Sequence, residues 1–492
     1  MGVGKTTVGT ALAARLGLPF VDLDDLLVAR HGPIADQLRD PETFRQREAD
    51  AVRSLDDGAA HVLATGGGAW LDPESRSALR SQGEVVWLDL PFNTIAARRP
   101  AGRPLWDARV QERFVARRPV YALADVRWVP SGDPRATADD LAAALRRDRV
   151  RVQVGVGYDA VAAPGFAGLQ GALRRAGVGT RSVVVTDDRV GPLWAGRVEA
   201  SLPGHALDWV TIPAGAQHKT LDTWRTVVDS LLALRVDRNT SVLALGGGVV
   251  GDLAGFAASA CLRGLPVVQL PTTLLAMVDA SIGGKVGVDH RRGRNLVGAF
   301  HQPALVWAAL DTLETLPPAE RRAGFGEVVK TALLADAVLL ARLEAGPVPV
   351  RDVVARCVAA KASLVSRDAH ERGDRALLNA GHTVGHALES AVGPGALRHG
   401  EAVGLGLVRE ARWAVTHGVC TDPALPDRIA GVLGSLGLPT VLPEVDLERF
   451  HAALAVDKKG QGDRLRIPLP TRAGDYAIHS IPRAQLATLL EP

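Results

Sequence analysis

Four residues with metal-binding side chains carry the strongest chemical signal in this 492-residue sequence. GFGEVVK holds Glu327, NAGHTVGHALE holds His382 and His386, and RHGEAVG holds His399. His382 and His386 are four apart, so a helix places both rings on one face. A glutamate with two histidines is a common zinc set, and it leaves one coordination place open for a substrate oxygen, as Lewis-acid chemistry requires. The plain alternative for an HxxxH spacing alone is a surface pair. The similar glycine-flanked settings of Glu327 and His399 favour a metal.

Cations gather around the same stretches. Only seven of the 57 basic residues are lysine, so each lysine marks a place where a compact ammonium is wanted rather than any positive charge. Lys330 follows Glu327 by three residues, Lys361 and Arg375 flank SRDAHERG, and DKKG holds Lys458 and Lys459; Arg263 adds a further charge. A metal set amid so many cations implies an anionic, phosphorylated and hydroxylated substrate.

Two glycine-rich turns suggest nucleotides. LALGGGVVGDLAGFAAS reads as strand, tight turn and helix, an arrangement suited to a dinucleotide pyrophosphate, although GGGxxGD is not GxGxxG. The following QLPTTLLAMVDASIGGKVGVDHRRGRNLVGAF sets Thr272, Thr273, Asp279, Lys285 and Asn295 among glycines, a pattern of a site rather than of packing. At the start, MGVGKTTVGTALAARLG places Gly2, Gly4, Lys5, Thr6 and Thr7 at the opening of a helix, where backbone amides and a lysine can hold phosphate and Thr6 can hold magnesium. The first glycine of a full G-x-x-x-x-G-K-[ST] loop would fall before residue 1.

The elements that must position these groups are α/β. Residues 1–149 alternate short apolar strands, such as HVLATG and EVVWLDL, with amphipathic helices, as expected of a P-loop kinase-like domain with a parallel sheet. A new strand in RRDRVRVQV opens a Rossmann-like α/β domain over 150–320, and the long Ala/Leu/Val/Arg patterns of 321–492 predict an all-helical metal-binding subdomain. The formal net charge of +3 gives no reason to expect nucleic acid or a membrane as partner. No apolar run is long enough to span a bilayer, and no export signal opens the chain. Three cysteines far apart in sequence fit a reduced, cytoplasmic setting.

In order and spacing, GKTT, PFVDLDDLL, FRQRE, ATGGGAW, GRPLW and ARRPVY resemble shikimate kinase across nearly all of residues 1–149. The resemblance implies ATP and magnesium as cofactors. It implies Asp24, Arg45 and Arg117 as shikimate ligands with Gly66, Gly67 and Gly68 beside the ring. Arg103 would lie in a lid near the ATP phosphates, and Asp22 would orient magnesium or the reacting hydroxyl. Members of that family carry a central strand ahead of the loop, so Met1 is expected to be an internal methionine of a longer chain. A chain that truly starts at Met1 is expected to have a kinase that is weak or inactive.

The motifs of residues 150–490 resemble 3-dehydroquinate synthase. That implies the seven-carbon phosphate DAHP as substrate, NAD oxidising and then reducing C5 within each turnover, loss of phosphate, and closure of a carbocycle. Zinc, or cobalt, would be held by Glu327, His382 and His399. Asp279, Lys285, Asn295, Lys330, Lys361, Arg375, Asn379 and His386 would hold substrate and relay protons, with Arg263 reaching in from the partner of a homodimer. NAD would lie on Gly248, Val249, Val250, Gly251 and Asp252, with Lys219, Thr272, Thr273, Lys285, Arg294, Thr312 and Thr315. Two departures bear on NAD: PAGAQHK has Ala216 where the family commonly has glutamate, and Arg294 replaces a usual lysine. Another sugar-phosphate cyclase, or a metal-dependent polyol dehydrogenase with a non-catalytic kinase-like domain, is the alternative.

Overall fold

The computed structural model describes residues 3–55, 60–97, 109–130, 132–145, 148–393, 395–456, 460–461 and 464–490. Gly2, Arg103, Lys458 and Lys459 lie outside the described residues. The chain divides into two units, one of residues 1–147 with 163–180 and 196–206, the other of residues 148–162, 181–195 and 207–492.

In the first unit, α1 (Lys5–Leu16) begins at Gly4 and ends at Gly17, both in left-handed backbone (φ 87° and 69°) that side-chain-bearing residues disfavour. Leu12 packs with Ala138, Leu141 and Ala142. Four short strands follow: β1 (Phe20–Asp22), β2 (Val62–Ala64), β3 (Val86–Leu88) and β4 (Val126–Trp128). They pair in parallel as two separate sheets, β1 with β2 and β3 with β4. The helices α2 (Leu23–His31) and α3 (Pro41–Arg53) start on Asp22 and Asp40, whose carboxylates accept first-turn amides. Their apolar faces, Leu23, Leu27, Phe44 and Val52, close a core with Trp70.

The second unit is built on a seven-stranded sheet in the order β5-β6-β13-β10-β9-β7-β8. Its strands are β5 (Asp148–Val152), β6 (Tyr158–Ala163), β7 (Arg181–Asp187), β8 (Ala206–Ile212), β9 (Ser241–Gly246), β10 (Val267–Pro271) and β13 (Leu305–Ala309). The expected strand of RRDRVRVQV is β5, antiparallel to β6. β9 runs parallel to both β7 and β10, and all six of its residues are buried. Such a strand, covered on both faces, reads as continuous hydrophobicity. It runs directly into α4 (Gly248–Ala260). The hairpin β11 (Lys285–His290) and β12 (Gly293–Phe300) stands apart as a two-stranded sheet, with Lys285 opposite Phe300.

Past residue 318 the chain turns helical. The helices that matter for chemistry are α5 (Pro318–Ala335), α6 (Val350–Arg367), α7 (His382–Val392) and α8 (His399–Thr416). The structure adds to this helical part an antiparallel sheet of β14 (Gly460–Gln461), β15 (Arg464–Arg472) and β16 (Asp475–Pro482). RLRIPLP buries Leu465, Ile467 and Leu469, a period-two pattern that suits a strand and not a helix, and these side chains join the helices' core.

Glycines set how these helices meet. A β-carbon on Gly326 of α5 would overlap the Gly400 carbonyl of α8, and one on Gly400 would overlap the Ala323 carbonyl of α5. One on Gly406 of α8 would overlap the Gly381 carbonyl at the start of α7, and one on Gly385 would lie 3.0 Å from Ala402 O. The helices therefore touch backbone to backbone. Gly400→Ala is expected to cost about 3 kcal/mol by overpacking. Urea unfolding checks it, and a variant as stable as the parent contradicts the contact.

Candidate functional site

That crossing brings one acid and three imidazoles together. Glu327 Oε1 lies 3.4 Å from His382 Nε2 and 3.3 Å from His399 Nε2. One ring nitrogen from each of His382, His386 and His399 falls within a 4.8 Å group. Glu327 is fully buried, and neither of its oxygens has a hydrogen bond of good geometry; Lys330 Nζ rests on Oε2 as an ion pair. A buried carboxylate with one oxygen on an ammonium and the other facing two imidazoles makes, with them, a donor set whose chemistry fits a divalent ion. Burial, with Lys330 beside it, pushes His382 well below the usual imidazole range, leaving it neutral and ready to donate a lone pair. Burial opposes charge on His399 too, but Glu327 and Glu389 carry it up to about 9.

A ladder of charges runs inward from this cluster. Lys330 reaches past Glu327 to Asp279 Oδ1 at 3.6 Å, and Lys361 donates to the same oxygen at 2.7 Å and to Asp279 O at 2.5 Å. Asp279 sits in a single π-turn, Ala276–Ala280, which aims it between α5 and α6. Burial alone would raise Asp279, but Lys330 and Lys361 hold it well below the carboxylate range. Burial draws Lys361 down to about 8 against the pull of Asp279, so its ammonium can release a proton near neutral pH.

Beyond the ladder, Lys285 pairs with Glu371 Oε2 at 2.5 Å, and Asn379 donates to Glu371 Oε1 at 2.7 Å. Arg375 is almost fully buried and donates to Ala369 O and, at 2.9 Å, to Gly283 O. Gly283, at φ 99°, has no room for a side chain beside that guanidinium. Sequence reasoning missed Glu371 and Glu389. Glu389 ends the quoted NAGHTVGHALE and lies seven residues after His382, so helical spacing already placed it on the histidine face.

The dinucleotide turn is formed as the glycines suggest. Gly247 precedes α4 and Gly248 begins it; a β-carbon on Gly247 would lie 3.1 Å from Thr273 Cγ2, and one on Gly248 3.4 Å from Ala280 Cβ. The turn's surface is bare backbone at a helix N-terminus, which fits a pyrophosphate. Asp252 of α4 pairs with Lys219 Nζ at 2.5 Å. Thr272 N donates to Gly246 O, and Thr273 Oγ1 accepts from Ala276 N.

The remaining named residues have the following surroundings within the chain. Asn295, expected to hold substrate, is exposed at φ 52° and accepts from Lys219, while its amide donates to Asp289. Arg294, expected to touch NAD, donates to Glu389 Oε2 at 2.7 Å. Thr312 and Thr315 donate to Ala309 O and Thr312 O, and Trp194 donates to Thr315 Oγ1. Arg263 is exposed in a left-handed turn with Leu262 and Gly264.

In the first unit Thr6 Oγ1 donates to Asp22 Oδ2 at 2.7 Å, joining the two groups expected at magnesium. Gly4 starts α1 without a side-chain cap, and Lys5, Thr6 and Thr7 form its first turn, an arrangement that fits phosphate. A second group gathers around Gly66–Gly68. A β-carbon on Gly66 would lie 2.6 Å from Glu48 Oε1 and 3.1 Å from Asp24 Oδ1, one on Gly67 3.6 Å from Arg117 Nη1, and one on Gly68 would overlap Arg45. Arg45 pairs with Glu48, which burial raises, and Tyr121 donates to Gly67 O at 2.7 Å.

Comparison with known proteins covers both units. Family models described as 3-dehydroquinate synthase N-terminal and C-terminal match residues 209–323 and 324–460, and the shikimate kinase model matches residues 1–146. The 3-dehydroquinate synthase of Synechococcus sp. is 45% identical over 327 residues, which are 64% of this chain and 89% of that protein. The 3-dehydroquinate synthase of Caulobacter vibrioides is 43% identical over 361 residues, 69% and 97% respectively. The structure of a 2-epi-5-epi-valiolone synthase from Streptomyces hygroscopicus, with NAD+ and Zn2+ bound, aligns with a TM-score of 0.62 at 31% identity, over 70% of this chain and 98% of that one.

Removing Asp279 should leave two buried ammoniums facing one another. Asp279→Ala is expected to destabilise the second unit by about 3–5 kcal/mol. Adding Lys361→Met should recover part of that loss. Denaturant unfolding of the two single variants and the double variant measures the coupling, and strictly additive effects would remove the ladder from the account.

Proposed function

From the premise that this chain belongs to the 3-dehydroquinate synthase family, we propose that it converts DAHP to 3-dehydroquinate and phosphate, and that its shikimate kinase domain phosphorylates shikimate at the expense of ATP. The observation that carries the first reading is the meeting of Glu327, His382 and His399 beside Asp279, Lys330 and Lys361. Residues 150–320 would carry NAD and residues 321–492 the metal and substrate.

Glu327, His382 and His399 would hold the divalent ion, with His386 at its edge, and the turn from Gly248 to Asp252 would hold NAD. Bound there, the ion polarises substrate hydroxyls and NAD supplies a reversible oxidation. The protein's own part is electrostatic and positional. Lys285, Lys361 and Arg375 are each held by an acid or a carbonyl, so a phosphorylated substrate meets cations already oriented. Lys330 balances Glu327 and Asp279 inside the core, which keeps both acids charged where a bare carboxylate would take up a proton. Lys361 supplies a movable proton at Nζ, next to Asp279. In the kinase domain Lys5 and the amides that open α1 would hold ATP phosphates. Thr6 and Asp22 would hold magnesium, and Asp24, Arg45 and Arg117 would hold the shikimate carboxylate and hydroxyls. A homodimer and a cytoplasmic location complete the reading; no helix among the described residues is long and apolar enough to cross a membrane.

Phosphate release from DAHP tests the synthase. Activity should require NAD, vanish with chelator, return with zinc, and fall more than about 100-fold in His382→Ala, beyond what losing a residue outside the ligand set costs. Activity indifferent to chelator contradicts it, and net NADH release without phosphate would identify a dehydrogenase instead. The kinase is tested by ATP-dependent formation of shikimate 3-phosphate, expected to be abolished in Lys5→Ala. No such product from the intact chain would leave residues 1–149 a non-catalytic domain.

A further inference from the structure

We propose that Glu389 and Arg294 form a positioning pair that fixes the ring of His399 for the metal, an inference that rests on the metal site read above. His382, His386 and Glu389 follow one another on α7 at spacings of four and three, so one helix face carries them all toward the first residue of α8. There the two oxygens of Glu389 divide their work. Oε1 lies 3.6 Å from His399 Nδ1, and Oε2 accepts from Arg294 Nη1 at 2.7 Å. The other nitrogen of the ring, Nε2, faces Glu327 Oε1 at 3.3 Å.

A carboxylate facing Nδ1 from 3.6 Å favours a proton on that nitrogen, so that a cation taking the place of the second proton finds the Nε2 lone pair, and it orients the ring. The Glu389 side chain is nearly buried and the Arg294 side chain is half exposed. The acid is therefore built into the site, and the arginine clamps it from the surface. Arg294 stands on β12, paired with β11, whose first residue is Lys285. The pair thus ties the hairpin that presents Lys285 to a metal ligand on another element. Arg294 departs from the lysine that the family resemblance led us to expect, and its place on Glu389 gives that departure a role at the metal.

The test uses the full chain, stripped of metal and titrated with zinc against a competing chelator, with the visible spectrum of the Co2+ form as a second readout. Glu389→Gln is expected to weaken zinc binding about 10–100-fold and to shift the Co2+ bands. Arg294→Ala should weaken it by a smaller factor and Arg294→Lys should restore most of it. The double variant Arg294→Ala/Glu389→Gln should bind zinc no worse than Glu389→Gln. Parent-like zinc affinity and Co2+ spectrum in a folded Glu389→Gln, or independent effects of the two substitutions, would overturn the pair. If Glu389→Gln does not fold, Arg294→Ala decides alone, since an unchanged zinc affinity there also overturns it. A parent chain that binds neither zinc nor cobalt overturns the metal reading itself, an outcome separate from a parent that binds while the variants match it.

Discussion

Four charges inside the second unit, those of Glu327, Lys330, Asp279 and Lys361, must balance for the rest of the site to exist. Each would be costly alone, because taking one ion out of water costs several kcal/mol against a whole-domain stability of about 5–15 kcal/mol. Alternating in sign along a chain of contacts, they make burial tolerable. They come from three elements, the π-turn that holds Asp279, α5 and α6, so those elements can pack only in the arrangement that pairs them. Once they are packed, Glu327 turns one oxygen to Lys330 and the other to the histidines. The proposed metal site is thus the outer rung of a structure that the fold already needs.

Much of this was legible in the sequence, for reasons that can be named. Scarcity made the lysines informative: Lys219, Lys285, Lys330 and Lys361 each pair with a carboxylate. Spacing made the histidines informative, and the glycine settings of Glu327 and His399 proved to be the helix crossing itself. Glu371 escaped because acids are plentiful, 54 in all, and only the tertiary approach of Lys285 marks it out. Glu389 had a local signal, its helical spacing from His382, but spacing alone does not show which group it faces. Arg294 and Asn295 find different partners, Glu389 and Lys219, at a break in the hairpin register where Asn295 takes left-handed backbone. The strand β15 was hidden by the helical composition around it, and its alternation shows only in a window of seven residues.

The first unit gathers its expected groups by a different route. Its strands are three residues long and carry little side-chain information, yet β1 ends on Asp22 and β2 stops two residues before Gly66. Asp22 closes β1, starts α2 and meets Thr6, so one carboxylate joins strand, helix and phosphate loop. Glu48 and Arg45 neutralise one another against Gly66–Gly68, whose missing side chains leave room for them. Here the acid's burial is relieved by a single arginine rather than by a ladder.

The bare crossing of α5, α7 and α8 sets how such a scaffold can change over time. Side chains that line the substrate space can be exchanged one by one, each at its own modest cost, and the chemistry of the pocket can drift accordingly. At Gly326, Gly400 and Gly406 no such gradual route is open, since a single added carbon displaces two backbones and the ligands they carry. Descendants of this architecture are therefore free to alter what lines the pocket long before they can alter where Glu327 and the histidines meet.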